Sequence, residues 1–172
     1  VQKIGDAADR SYEKGNWAGF EFLGAVGGIN MASTVIASKA QDCVLLIEDS
    51  EEAMWLVKDA LQRFGNERYT LEWAEDLSSG LLYLSKNNAS VVLLDLGLPD
   101  SSGSSSFASV RKIAPDVPVL VLTGDDRPET ERELTKSGTQ DYLVKDQVSG
   151  PLLVQAINAA LYQQKARTES LA

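Results

Sequence analysis

Residues 91–103 read VVLLDLGLPDSSG: four apolar residues stop at Asp95 and give way to a loop of turn-formers. The same habit recurs on either side. CVLLI from Cys43 stops at Glu48 and Asp49, VLVL from Val119 stops at Thr123, and YLV from Tyr142 stops at Lys145. Short β-branched or leucine-rich runs that alternate with amphipathic stretches mark βαβ units and a parallel sheet. Open α/β sheets gather ligands outside the carboxyl ends of their strands. Strands scattered along the chain can therefore deliver three carboxylates, a hydroxyl and an ammonium to one crevice.

The stretches between these runs read as helices. Ser50 can cap one whose first turn holds Glu51 and Glu52 and whose apolar positions Ala53, Leu56, Ala60, Leu61 and Phe64 keep helical spacing up to Gly65. Tyr69 to Ala74 alternates like a half-exposed strand and leads into a helix capped by Asp76, with Leu77, Leu81 and Leu84 on one face. After the serine-rich loop a third helix carries Phe107, Val110 and Ile113 inward. Pro128 marks the start of a fourth, which runs through Leu134 to Gly138, and a fifth begins near Pro151 and buries Leu153, Ile157, Ala160 and Leu161. Residues 1–40 do not continue the alternation and read as an N-terminal extension or the remainder of an upstream domain. The folded domain then spans 41–166, and 167–172 form a tail.

Composition narrows the chemistry. The chain has 172 residues, 44% of them hydrophobic, enough for a real core. A formal charge of -9 argues against direct nucleic-acid binding by this segment, because phosphate backbones are held by surplus Lys and Arg. With no histidine in the chain, Ser-His-Asp and Cys-His nucleophile schemes, His-ligated zinc and a histidine phosphocarrier are all removed. Cys43, the only cysteine, reads as a small core residue in a reducing, cytoplasmic setting. Phe22 to Ser38 is uncharged, but it is broken by glycines, short for a membrane span, and lacks the basic flank of a signal peptide.

Taken singly, the strand-end residues are ordinary: Glu48 and Asp49 suit a helix N-terminus, Asp95 and Thr123 suit turns, and Lys145 suits a solvated strand end. Taken together they are not. Three gathered carboxylates repel one another and must either raise a pKa or recruit a cation. Hard oxygen ligands favour Mg2+, with Mn2+ as a substitute. With a metal in place Asp95 becomes a plausible nucleophile toward phosphorus, Lys145 offsets the remaining charge and Thr123 offers a hydroxyl to a phosphoryl oxygen.

LLIEDS, VVLLDLGLPDSSG, VLVLTGDD and DYLVKD resemble the signature segments of two-component response-regulator receiver domains, over about residues 42 to 165. The resemblance implies a flavodoxin-like, doubly wound five-stranded parallel sheet of order 2-1-3-4-5, flanked by five helices. Asp95 is then the phosphoacceptor, Asp49 a direct Mg2+ ligand, Glu48 a ligand acting largely through water, and Gly97 the donor of a backbone carbonyl. Thr123 and Lys145 contact the phosphoryl group, and Thr123 and Tyr142 form the switch. The expected partner is a histidine kinase or histidine phosphotransfer protein of a bacterial two-component system. Receivers of this kind commonly dimerise or dock through the face made by the fourth helix, fifth strand and fifth helix.

Two positions depart from the pattern. Asp146 follows the lysine where proline is common, so the turn after the fifth strand is expected to be built differently. Asp125 places another acid near the phosphoryl edge, where an altered phosphate lifetime is expected. The chemistry implied is self-directed rather than that of a turnover enzyme. The alternatives are a phosphorylation-independent interaction module of the same fold, against which the intact acidic and basic set speaks, and an aspartate-nucleophile phosphatase. The latter places a second aspartate two residues after the nucleophile, and here that residue is Gly97. No output domain is legible, which leaves a single-domain regulator or the receiver portion of a longer protein.

Overall fold

Five strands form one fully parallel sheet of order β2-β1-β3-β4-β5. The computed structural model describes residues 40–101, 103–124 and 141–171. The strands are β1 (Asp42–Ile47), β2 (Tyr69–Ala74), β3 (Val91–Asp95), β4 (Val119–Thr123) and β5 (Asp141–Val144). Among the described residues there are four α-helices: α1 (Glu51–Phe64), α2 (Leu77–Lys86), α3 (Ser104–Ile113) and α4 (Gly150–Leu171). The helix expected from Pro128 to Gly138 lies outside the described residues, as do the N-terminal extension and Asp125. The helix counted fifth in the sequence is therefore α4 here, and it continues through residues 167–171, the stretch set apart above as a tail.

Because side chains alternate across a strand, each central strand feeds two cores. Val44, Leu46, Val91, Leu93, Leu120 and Leu122 face α1 and α4, where they meet Met54, Val57, Ala60, Leu61, Leu153, Val154, Ile157 and Ala160. Leu45, Ile47, Val92, Leu94, Val119 and Val121 face the other way, onto Leu77, Phe107 and Val110 of α2 and α3. Both faces of β3, of β4 and of β1 from Val44 onward are thus dry. Full burial of each Leu, Ile or Val contributes about 1.5–3 kcal/mol, and this is the main source of stability.

The caps form as their side chains dictate. Ser50 Oγ accepts the amide of Ala53 at 3.2 Å, and Asp76 accepts that of Ser79 at 2.6 Å. The buried faces differ from expectation in three places. On α1 the core takes Met54 and Val57 with Ala60 and Leu61, while Leu56 is 73% and Phe64 44% exposed. Both stripes keep helical spacing, and contact with α4 and the sheet selects between them. Ile113, in the last turn of α3, is also largely exposed, since the sheet contacts end at Val110. Cys43 is half-buried instead of a core residue, its thiol 3.4 Å from the Tyr83 hydroxyl. No helix among the described residues is long and apolar enough to cross a membrane.

The packing of α2 on β1 depends on the missing side chain of Gly80. A Cβ there would lie 2.4 Å from Cδ1 and 2.8 Å from Cγ1 of Ile47, which is fully buried. Gly80→Val is expected to lower unfolding stability by about 2–3 kcal/mol through overpacking, measured by urea denaturation.

Candidate functional site

The register of the parallel strands builds the site. Ile47 of β1 pairs with Leu94 of β3, so the next residues, Glu48 and Asp95, emerge side by side. Thr123 closes β4 and pairs with Val144, which places Lys145 just beyond it. Glu48, Asp95 and Thr123 are 1%, 4% and 3% exposed, whereas Asp49 opens to solvent. A 3-10 turn over Lys145–Gln147 carries Asp146, with no cis bond among the described residues.

Lys145 ties the far side of the sheet to its centre. Its Nζ lies 2.7 Å from Oε2 of Glu48 and 3.1 Å from Oδ1 of Asp95. The other Glu48 oxygen accepts the Ser50 amide at 3.2 Å. The electrostatics are asymmetric. Burial pushes the Glu48 carboxyl above its ordinary value, and neighbouring Asp95 adds to the rise, more than Lys145 offsets it. Burial also works against the Lys145 charge, but its hydrogen bonds to Glu48 and Asp95 prevail and hold it above the usual lysine value. The ammonium gains from the pair, while the carboxylate remains undercompensated.

Oxygens of Glu48, Asp49 and Asp95 all lie within 4.8 Å of one another. Among the described residues, two buried carboxylates, one solvent-facing carboxylate and a single ammonium leave excess negative charge in a small volume. That donor set suits a hard divalent cation which keeps several of its waters. Gly97 lies close to the Asp95 member of this group, since a Cβ on it would stand 3.2 Å from Oδ2 of Asp95. Tyr142 is half-buried and packs against the core face shared by Val119 and Val121.

Two contributors were not legible in the sequence. The Trp73 indole donates to the Glu48 carbonyl at 2.7 Å and so fixes the backbone that carries the acidic pair. The available signal was that a half-buried indole N–H needs a partner. Asp100, which reads as one more loop residue, accepts hydrogen bonds from the first turn of α2. In metal-free protein, Glu48→Gln is expected to raise unfolding stability by about 1 kcal/mol, because it removes an undercompensated buried charge. The same change is expected to shrink the rise in melting temperature on adding Mg2+. Thermal melts with chelator and with Mg2+ measure both.

The sequence pattern of the response regulator receiver domain matches residues 44–158. The virulence transcriptional regulatory protein PhoP of Salmonella typhimurium is 30% identical over 129 residues, which cover 75% of this chain and 54% of PhoP. The chain thus spans about half the length of that relative. Among solved structures, a response regulator receiver domain protein from Clostridium thermocellum is 28% identical with a TM-score of 0.64, covering 73% of this chain and 98% of the other. Chemotaxis protein CheY4 of Vibrio cholerae is 26% identical with a TM-score of 0.62, covering 70% of this chain and 99% of the other. With the acidic cluster and lysine at the strand ends of this sheet, these matches place the chain in the response regulator receiver domain family.

Proposed function

We propose that this domain accepts a phosphoryl group on Asp95 and changes conformation in response, as one step of a two-component signalling pathway. The observation that carries the reading is the placement of a nearly buried Asp95 between an acidic group suited to a divalent cation and the Lys145 ammonium. Glu48, Asp49 and Asp95, with the Gly97 carbonyl, would hold Mg2+, which supplies charge neutralisation for phosphoryl oxygens. An Asp95 oxygen attacks phosphorus as the bond from phosphorus to the donor nitrogen or oxygen breaks. Lys145 and Thr123 bind the transferred oxygens. The added charge draws Thr123 and the loop after it toward Asp95, and Tyr142 turns into the space that opens. Asp125 would tune the lifetime of the phosphorylated state.

The donor is a histidine kinase, a histidine phosphotransfer protein or a small phosphodonor, in a cytoplasmic setting. Homodimerisation would use the face that includes β5 and α4. The matched relatives named as transcriptional regulators are longer than this chain, so any such output would lie in further sequence, and the charge of -9 speaks against this segment touching DNA itself. Incubation with acetyl phosphate and Mg2+, followed by mass spectrometry, is expected to give a single phosphoryl adduct that is lost in Asp95→Asn. An unmodified wild type would remove the reading, and an adduct persisting in the variant would remove the site assignment.

A cavity of about 580 Å³ opens beside Lys145 and runs along Leu56, Ala60 and Phe64 to Pro151. Its continuity with the site and its exposed apolar wall suit a protein phosphodonor. Leu56→Asp is expected to slow phosphorylation by a protein donor about tenfold, the loss of one apolar anchor, while leaving the acetyl phosphate rate unchanged. Comparing the two rates on the same preparations tests this.

A further inference from the structure

The loop between β3 and α3 is held by polar contacts on two sides. On one side both oxygens of Asp100 reach the first turn of α2: Oδ1 accepts the Leu77 amide at 3.0 Å, and Oδ2 accepts the amide and the hydroxyl of Ser78, each at 3.0 Å. On the other side the Ser101 and Ser106 hydroxyls meet at 2.6 Å, Ser106 being fully buried on α3. Leu98, two residues before Asp100, is 3% exposed in the core. Helix α2 has no acidic residue of its own in its first turn. Its positive end is met by the N-cap Asp76 and, from outside the helix, by a carboxylate 22 residues away in sequence. The Leu77 amide and then the Ser78 groups hold the Asp100 carboxyl below the usual carboxylate range.

Asp76 already caps α2 through Ser79, so Asp100 satisfies the two remaining amides of that turn and at the same time fastens the loop. The segment it fastens contains Gly97, whose backbone lies closely over Asp95. We propose that Asp100 is a positioning residue, clamping residues 97–100 to the N-terminus of α2 so that the Gly97 backbone stays seated over the acidic cluster. This rests on the phosphoacceptor reading for its consequence, although the clamp itself does not. It also makes α2 a support of the site, although none of its side chains belongs to the acidic cluster.

Asp76 supplies the control, because its side chain caps the same helix through Ser79 and, among the described residues, makes no hydrogen bond to the loop. Hydrogen exchange of metal-free protein is expected to show the amides of Gly97, Leu98, Asp100 and Ser101 exchanging about tenfold faster in Asp100→Ala, the loss of a charged hydrogen bond. In Asp76→Ala the acceleration is confined to α2. By calorimetry, Mg2+ affinity is expected to fall about tenfold in Asp100→Ala, to fall less in Asp100→Asn, which keeps one acceptor oxygen, and to stay unchanged in Asp76→Ala. Loop exchange in Asp100→Ala equal to wild type overturns the clamp, and an equal loss of Mg2+ affinity in Asp76→Ala reduces Asp100 to a helix cap. A wild type that takes up no Mg2+ overturns the phosphoacceptor reading, while the exchange measurement still decides whether Asp100 holds the loop.

Discussion

Glu48 and Asp95 are buried at the ends of adjacent central strands, and one ammonium, Lys145, reaches both. The organisation of the sheet follows from that constraint. Val44 to Ile47 and Val91 to Leu94 are buried on both faces, so an alternation of polar and apolar residues does not distinguish one strand register from its neighbours. The acidic residues that stop the strands do distinguish them. A slip of one residue would drag a carboxylate into the dry sheet or strand Lys145 away from its partners, at the steep free-energy cost of an unpaired buried charge.

The same contact sets stability against function. The Lys145 ammonium gains from its pair, and the Glu48 carboxylate does not fully recover what burial takes from it. A domain of this size tolerates the loss because the two cores flanking the sheet are extensive. What remains is a site whose charge balance improves when a cation arrives. Such a site suits a protein meant to differ between its liganded and unliganded states. The neighbouring loop is restrained at Asp100, Leu98 and Ser101, which keeps the backbone near Asp95 from relaxing away from the crowded charges.

Much of the fold was legible because its signals are local. Strand β2 runs from Tyr69 to Ala74 as the alternation indicates, β3 and β4 end at Asp95 and Thr123, and Ser50 and Asp76 cap the helices that follow them. Each of those features depends on neighbours within a few positions. The choice of buried stripe on α1 does not. Ala53, Leu56, Ala60 and Phe64 satisfy helical periodicity as well as Met54, Val57 and Leu61 do, and the position of α4 breaks the tie. Ile113 and Cys43 were misplaced for the same reason, since burial at an element's end depends on what lies across from it.

The amino-acid order by itself determined which groups stand at the strand ends: three carboxylates, a hydroxyl and an ammonium, each following an apolar run that water must leave. That much needs only periodicity and the desolvation of charge. Contact was decided by tertiary structure: that Lys145 meets Glu48 as well as Asp95, that Trp73 holds the Glu48 carbonyl, and that Asp100 closes on α2. Those partners are separated by 22 or more positions along the chain. Only the parallel register and the stacking of helices on the sheet bring them within hydrogen-bonding distance, and no local pattern encodes that.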